Sequence, residues 1–443
     1  MRKLVTCMEA SDQGLGSRGA IAAGHGALHF GMLSVLGSAI AYRLFDVGYA
    51  IDLERALALL SASAPERVRP SRGEGQALQI SNPPITVWLG SDVLVVDETA
   101  HDVELSARIF DFGVVSIRVR VRPPAACDWE QFTLFGRRLE HHPGINALVQ
   151  KQLPLLCERM RPAIERPAVA GVHEDYTVFR ITHITDERGT PLSAAALAAL
   201  DVVPLLLNES RPLSAEARRE LLPHRFTYYG DDLALLTWEN ALVVEPREED
   251  TDLQYILEFA NAQLLELRYY DAQLDAELPR LYDAIEAARA RRSVFPGRRF
   301  AALLSRLQAQ VADSTELVER VENALKVTDD VYLARVYSAA LELFRGRAWR
   351  AGIDRKLAIL RETYAMLNSE AQALRSETLE IAIVVLIVGD LPETETSKLH
   401  VDSPPPPGCC PAKSCRATCD MWPARPIRRP APITSKSRSR TPG

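Results

Sequence analysis

From Leu253 to Ile285 apolar side chains recur at alternating spacings of four and three: Leu253, Leu257, Ala260, Leu264, Leu267, Leu274, Leu278, Leu281 and Ile285, with Asp271 the one interruption. A 3.5-residue repeat keeps a single stripe on one side of a helix and is incompatible with a strand, whose period is two. Thr251 and Gln254 have capping-box spacing, and Glu248, Glu249, Asp250 and Asp252 suit the positive end of a helix dipole, so a helix is predicted to start here. Pro279 is expected to kink it. Beyond Pro296-Gly297 the series Phe300, Leu304, Leu307, Val311, Ser314, Val318, Val321 and Leu325 repeats the alternation, which predicts an antiparallel helical hairpin. A third amphipathic stretch runs from Asp329-Asp330 to Phe344, and a fourth follows Gly352 with Ile353, Leu357, Leu360, Tyr364, Leu367, Ala371 and Leu374 on one side. Residues 251–388 are therefore expected to form a coiled-coil-like bundle, with seams that also suit self-association.

Upstream the period changes. Between about 41 and 245 short apolar runs alternate with period two, among them PPITVWL, DVLVVD, VELSARIFDFGVVSIRVRV, DYTVFRITHI, RFTYYG and LALLTWENALVV. Helical spacing is confined to LERALALLSAS, 128–160, 193–207 and 214–222. Strands broken irregularly by helices predict an α+β class: a mixed-sheet domain at 41–245 followed by the helical domain at 251–388.

The two ends differ from this body. Residues 391–443 hold 11 of the chain's 28 prolines and four of its seven cysteines, and their nine basic and four acidic side chains leave −11 on the body of a chain whose total is −6. Such a tail cannot build a core, and its composition is also what an off-frame reading of GC-rich coding DNA gives, so a frameshift near Gly389 is one account of it. Cys409, Cys410, Cys415 and Cys419 lack the paired C-x-x-C knuckles of a zinc site. Residues 1–40 read as a disordered leader, and the charge-free stretch between Arg18 and Arg43 imitates a signal h-region or follows an over-extended start, with Met32 as the alternative beginning. Cys7, Cys127 and Cys157 are too few for a disulfide framework, which points to a reducing compartment, the cytoplasm.

No reaction is fixed by any motif. The chain has no G-x-S-x-G, H-E-x-x-H or G-x-x-x-x-G-K-[ST], and Gly14-Leu15-Gly16-Ser17-Arg18-Gly19 lacks the preceding strand that a dinucleotide fingerprint requires. His141 and His142 are adjacent and diverge on a helix, so they do not share a metal. His173, Asp175 and His183 are the one set placed to converge on a strand edge, the alternative being that they serve a hydrolytic or nucleotide-using enzyme. No catalytic, cofactor or metal residue is assigned. Two basic clusters remain: Arg289, Arg291, Arg292, Arg298 and Arg299 at the predicted hairpin tip, and Arg345, Arg347, Arg350, Arg355 and Lys356 around Trp349. The first is the candidate contact for an anionic partner, RNA or lipid.

Ile381 to Val388 form an unbroken apolar octad whose helical rise, about 12 Å, is well short of a bilayer core of about 30 Å. This octad with Thr378-Leu379-Glu380, the segments KLAILRETYAMLN, DDVYLARVYSAAL and EFANAQLLELRYYDAQLD, and Phe110-Asp111-Phe112-Gly113-Val114-Val115 resemble the sporulation or required-for-meiotic-nuclear-division family of bacteria and mitochondria. The resemblance implies a non-enzymatic oligomeric scaffold, peripheral to the inner membrane and linked to translation, with no catalytic residues or cofactor to carry over. The C-terminus departs from that family, because the octad gives way at Gly389 to the Pro/Arg/Ser/Cys tail.

Overall fold

The computed structural model describes residues 33–63, 65–67, 78–80, 82–123, 127–168, 171–246, 252–290, 325–327 and 331–389, with isolated helical positions between 304 and 315. The chain forms two units, residues 1–382 and 383–443. The first opens with β1 (Ser34–Asp46) and β2 (Ala50–Ile51), α1 (Leu53–Leu59), β3 (Glu66–Arg67), β4 (Leu78–Ile80), β5 (Ile85–Val96), β6 (Thr99–Ile109), β7 (Val114–Val121) and β8 (Cys127–Asp128). Then come α2 (Trp129–Glu140), α3 (Pro143–Met160), β9 (Ile164–Glu165), β10 (His173–Thr185), α4 (Ala194–Ala199), α5 (Val203–Leu206), α6 (Ala215–Leu221), β11 (His224–Phe226), β12 (Leu233–Leu236) and β13 (Asn240–Val244). The remainder is α7 (Asp252–Ala290), β14 (Leu325–Val327), α8 (Val331–Leu343) and α9 (Gly346–Gly389). The class is α+β, with a mixed sheet followed by helices.

Ten strands make the main sheet, in the order β11-β12-β13-β10-β1-β7-β6-β5-β3 with β8 also on β1, and every pairing is antiparallel except β10 with β13. β1 lies at its centre, its residues from Ser34 onward paired to β10 with a register shift between Leu36 and Gly37, and those from Ala39 paired to β7. This accounts for the end of the charge-free stretch, Ser34–Tyr42; its earlier part lies outside the described residues. A strand covered on both faces is apolar at nearly every position, which resembles an h-region, and Ile40, Ala41, Tyr42 and Leu44 are all buried. Among the described residues regular structure accordingly begins at Ser34, seven residues ahead of the period-two pattern.

Each sheet face has its own apolar cluster. One face packs Ala39, Ala41, Val115, Ile117, Val119 and Phe179 against α2, α3 and α5. The other packs Ile40, Tyr42, Leu44, Tyr176 and Val178 against α7 and α8. The change of element type at 251 is therefore not a gap in packing: residues 253–266 of α7 are buried at every position, and Leu253–Leu265 belong to the same cluster as the strands.

The seam read from the sequence continues in the second half of α7, where Tyr270, Leu274, Leu281 and Ile285 pack with Ile353, Leu357, Leu360, Leu367 and Ala371 of α9, and Leu304 and Val311 join them. α7 runs alongside α8 and α9 in the same direction, since Gln263 meets Tyr337 and Asp271 meets Lys356. The antiparallel hairpin expected from 300–325 falls mostly outside the described residues. Leu325, placed last in the second helical seam, instead starts β14, which pairs with β4. Among the described residues no helix is long and apolar enough to cross a membrane.

Candidate functional site

The face of the sheet beneath α7 carries an unusual polar layer. Along β6 and β7 the alternation puts Arg108, Ser116 and Arg118 on this side, and all three are buried. Alternation of this kind ordinarily marks a face turned to water; here α7 covers it with Gln254, Glu258 and Asn261 in an i, i+4, i+7 stripe. Arg108 pairs with Glu258 and stacks over the Tyr255 ring at 5.2 Å, Arg118 lies 5.9 Å from the Tyr42 ring, and Arg268 pairs with Glu174. Ion pairs buried in this way add little net stability but fix one arrangement, because breaking either partner strands a charge.

At the edge of this layer lies a cavity of about 270 Å³, lined by Asp46, Gly48, Tyr49, Arg166, Ala168, Tyr269, Tyr270, Gln273, Leu274 and Glu277. Asp46 ends β1, and its Oδ1 accepts from Gly48 N–H at 3.1 Å, an Asx-type turn. Backbone bonds lock that turn in place: Val47 donates to Gly113, Tyr49 to Glu165, and Ala168 back to Val47. Gly113 has φ +100°, and a Cβ there would lie 1.9 Å from the Gly48 carbonyl, so only glycine permits the approach. From α7 comes Glu266, buried beside Asp46. Burial pushes the Asp46 carboxyl up to about 7 against the Gly48 hydrogen bond, and burial next to Asp46 holds Glu266 well above the usual carboxylate range. The same carboxyls and burial raise the Tyr269 and Tyr270 phenols.

Elsewhere the residues singled out from the sequence scatter. His173 and His183 lie ten positions apart on the single strand β10, about 33 Å at strand rise, so they cannot converge. Asp175 lies 3.9 Å from His173 Nε2 and meets Arg43 at 3.3 Å, so His183 alone of the three stands apart. His142 caps α3 by accepting from Gly144, while His141 joins Glu140 and Glu239 with ligand atoms within 4.8 Å of one another. Glu140 is already bound to Asn240 Nδ2 at 2.6 Å, so the carboxylate has a structural role. Arg291, Arg292, Arg298 and Arg299 lie outside the described residues, as does the side chain of Arg289. In the second basic cluster Lys356 is held by Asp271 and Asp275, and Arg350 faces Asp354 at 3.8 Å.

The last turns of α9 form the described part of the second unit, and Ile383 to Val388 are each 53–70% exposed. The octad is thus neither a buried helix end nor part of a seam.

The family profile described as "Uncharacterized protein MJ0711, N-terminal domain" matches residues 36–251. The uncharacterized protein MJ0711 of Methanocaldococcus jannaschii is 24% identical over 215 residues, which are 48% of this chain and 64% of that protein. No solved structure matches. These likenesses overturn the resemblance to the sporulation or meiotic-nuclear-division family and, since the relative is archaeal, the bacterial assignment that went with it. Of the segments that carried it, only Phe110–Val115 falls within 36–251. The others are helical runs whose spacing any bundle would share.

Proposed function

We propose that the protein is a non-enzymatic scaffold that attaches to a bilayer surface through the last turns of α9. What supports this is the exposure of Ile383–Val388 on a helix. Six consecutive positions cover the whole circumference, whereas a protein groove would cover one stripe and leave the rest in water. A fluid apolar medium wets every side at once. The octad's rise of about 12 Å reaches into one leaflet and no further. Glu377 and Glu380 precede it, so attachment should rest on apolar burial rather than on anionic lipid. Among the described residues, the seam positions Leu274, Leu281 and Ile285 of α7 and Ile353, Leu357, Leu360 and Leu367 of α9 pack within the chain, whereas Ile383–Val388 are exposed.

Flotation with phosphatidylcholine vesicles tests the reading. Wild-type protein should float in low and high salt alike, and V385D with L386D should lower partitioning more than tenfold, since each buried aliphatic side chain contributes about 1.5–3 kcal/mol. Wild-type protein left at the bottom of the gradient, or a concentration-dependent oligomer dispersed by the same substitutions without vesicle binding, would replace the bilayer with a second copy.

A further inference from the structure

We propose that the cavity lined by Asp46, Tyr49, Tyr269 and Tyr270 binds the ammonium group of a small amine. The first ground is an imbalance of charge. Wherever else the chain buries a carboxylate near α7 it supplies a cation: Arg108 for Glu258, Arg268 for Glu174, Lys356 for Asp271. Asp46 and Glu266 are 4% and 2% exposed, and no guanidinium or ammonium among the described residues pairs with either. Glu266 Oε1 has no hydrogen-bond partner at all. Two neighbouring acids removed from water without a counter-charge are costly, and a cation from outside would offset that cost.

The second ground is the wall. Three tyrosines line the space, Tyr269 and Tyr270 edge to face at 5.1 Å, and the Arg166 guanidinium lies 4.6 Å from the Tyr49 ring. Aromatic faces beside carboxylates recognise organic cations; Arg166 is 59% exposed and lies 4.0 Å from Glu165, so its charge is directed to Glu165 and water. The third ground is size. About 270 Å³ exceeds what a bare ion needs and suits a compact organic head group. Gln273, on the next turn of α7, adds an amide for the rest of such a ligand, while Glu277 beyond it is held by Arg280 at 2.9 Å.

Protonation then sets the pH at which the site works. The groups facing Asp46 are Glu266, Tyr269, Tyr270 and Glu277 from α7, with Tyr49 and Arg166 from the loops. The phenols stay neutral across the physiological range, because burial raises them. Asp46 is neutral at pH 5.5 and ionised at pH 8. Amine binding should therefore be favoured at the higher pH, where Asp46 is already ionised, and release a proton only at or below about pH 7, where it starts from the neutral acid.

The test is a titration of the full chain with 1,4-diaminobutane, followed by calorimetry and by thermal unfolding, with KCl at matched ionic strength as control. Saturable binding and a raised Tm are expected at pH 8, weaker by about tenfold or more at pH 5.5. D46N should abolish both. Q273W, which fills the space and leaves both acids in place, should do the same and decides the matter if D46N fails to fold. No saturable binding at pH 8, an equal shift with KCl, or wild-type binding by the filled variant would overturn the proposal.

Discussion

Asp46 and Glu266 make the stability of this protein depend on pH in the direction opposite to a salt-bridged acid. Their folded-state values are raised, so between about pH 4, where the unfolded carboxyls titrate, and about pH 7 the folded chain holds more protons than the unfolded one. Stability contributed by the neutral pair is present at low pH and is lost as pH rises through that window and beyond it, as Glu266 ionises. In amine-free buffer, urea unfolding should give a higher midpoint at pH 5.5 than at pH 8, and E266Q should flatten the slope and gain about 1–3 kcal/mol at pH 8. An unchanged slope in E266Q would show that other acids govern it. Neither acid stood out in the sequence. Asp46 reads as the polar residue that closes a strand, and Glu266 lies off the apolar seam of its helix; 220 positions separate them, and only the fold brings them together. Gly113 is the residue that holds the turn between them and the hairpin, and G113A should cost about 1–3 kcal/mol or more through its backbone strain alone.

For the elements, periodicity carried most of the information and partners carried the rest. The 4-3 seam placed α7 correctly, and Leu253, Leu257, Ala260, Leu264, Leu274, Leu281 and Ile285 are buried as it requires. Its interruption was visible but not its meaning: Asp271 receives Lys356 Nζ at 2.7 Å on its carboxylate and 3.1 Å on its carbonyl, an ion pair set into the seam that fixes the register of α7 on α9. K356M should therefore destabilise by about 1–3 kcal/mol, less than a fully buried pair because both side chains keep some exposure, while D271L with K356M should recover the loss. Thermal unfolding of the two variants measures the difference, and equal Tm values would mean the pair is only a surface contact. Period two likewise announced β6 and β7 but not what lies over them. Ser116 and Arg118 look like the wet side of a sheet until the long helix that covers them is known.

For the whole molecule, α7 belongs to two structures at once. Its first half closes the polar face of the sheet, and its second half supplies the seam with α9. The match to the family profile ends at residue 251, at the start of this helix, which invites treating residues 33–246 as a module in its own right. Physical bookkeeping argues against that. Without α7 and α8, Ile40, Tyr42, Leu44, Tyr176 and Val178 lose their cover, and Arg108 loses Glu258. Each uncovered large apolar side chain forfeits about 1.5–3 kcal/mol, so the face as a whole outweighs a typical folding free energy of about 5–15 kcal/mol. A chain ending at Pro246 should accordingly show poor chemical-shift dispersion and no cooperative melt, and one extended through Phe344, which adds the buried half of α7 and all of α8, should recover both. A well-dispersed spectrum from the shorter fragment would mean that the sheet folds on its other layer alone and that α7 docks onto a face already formed.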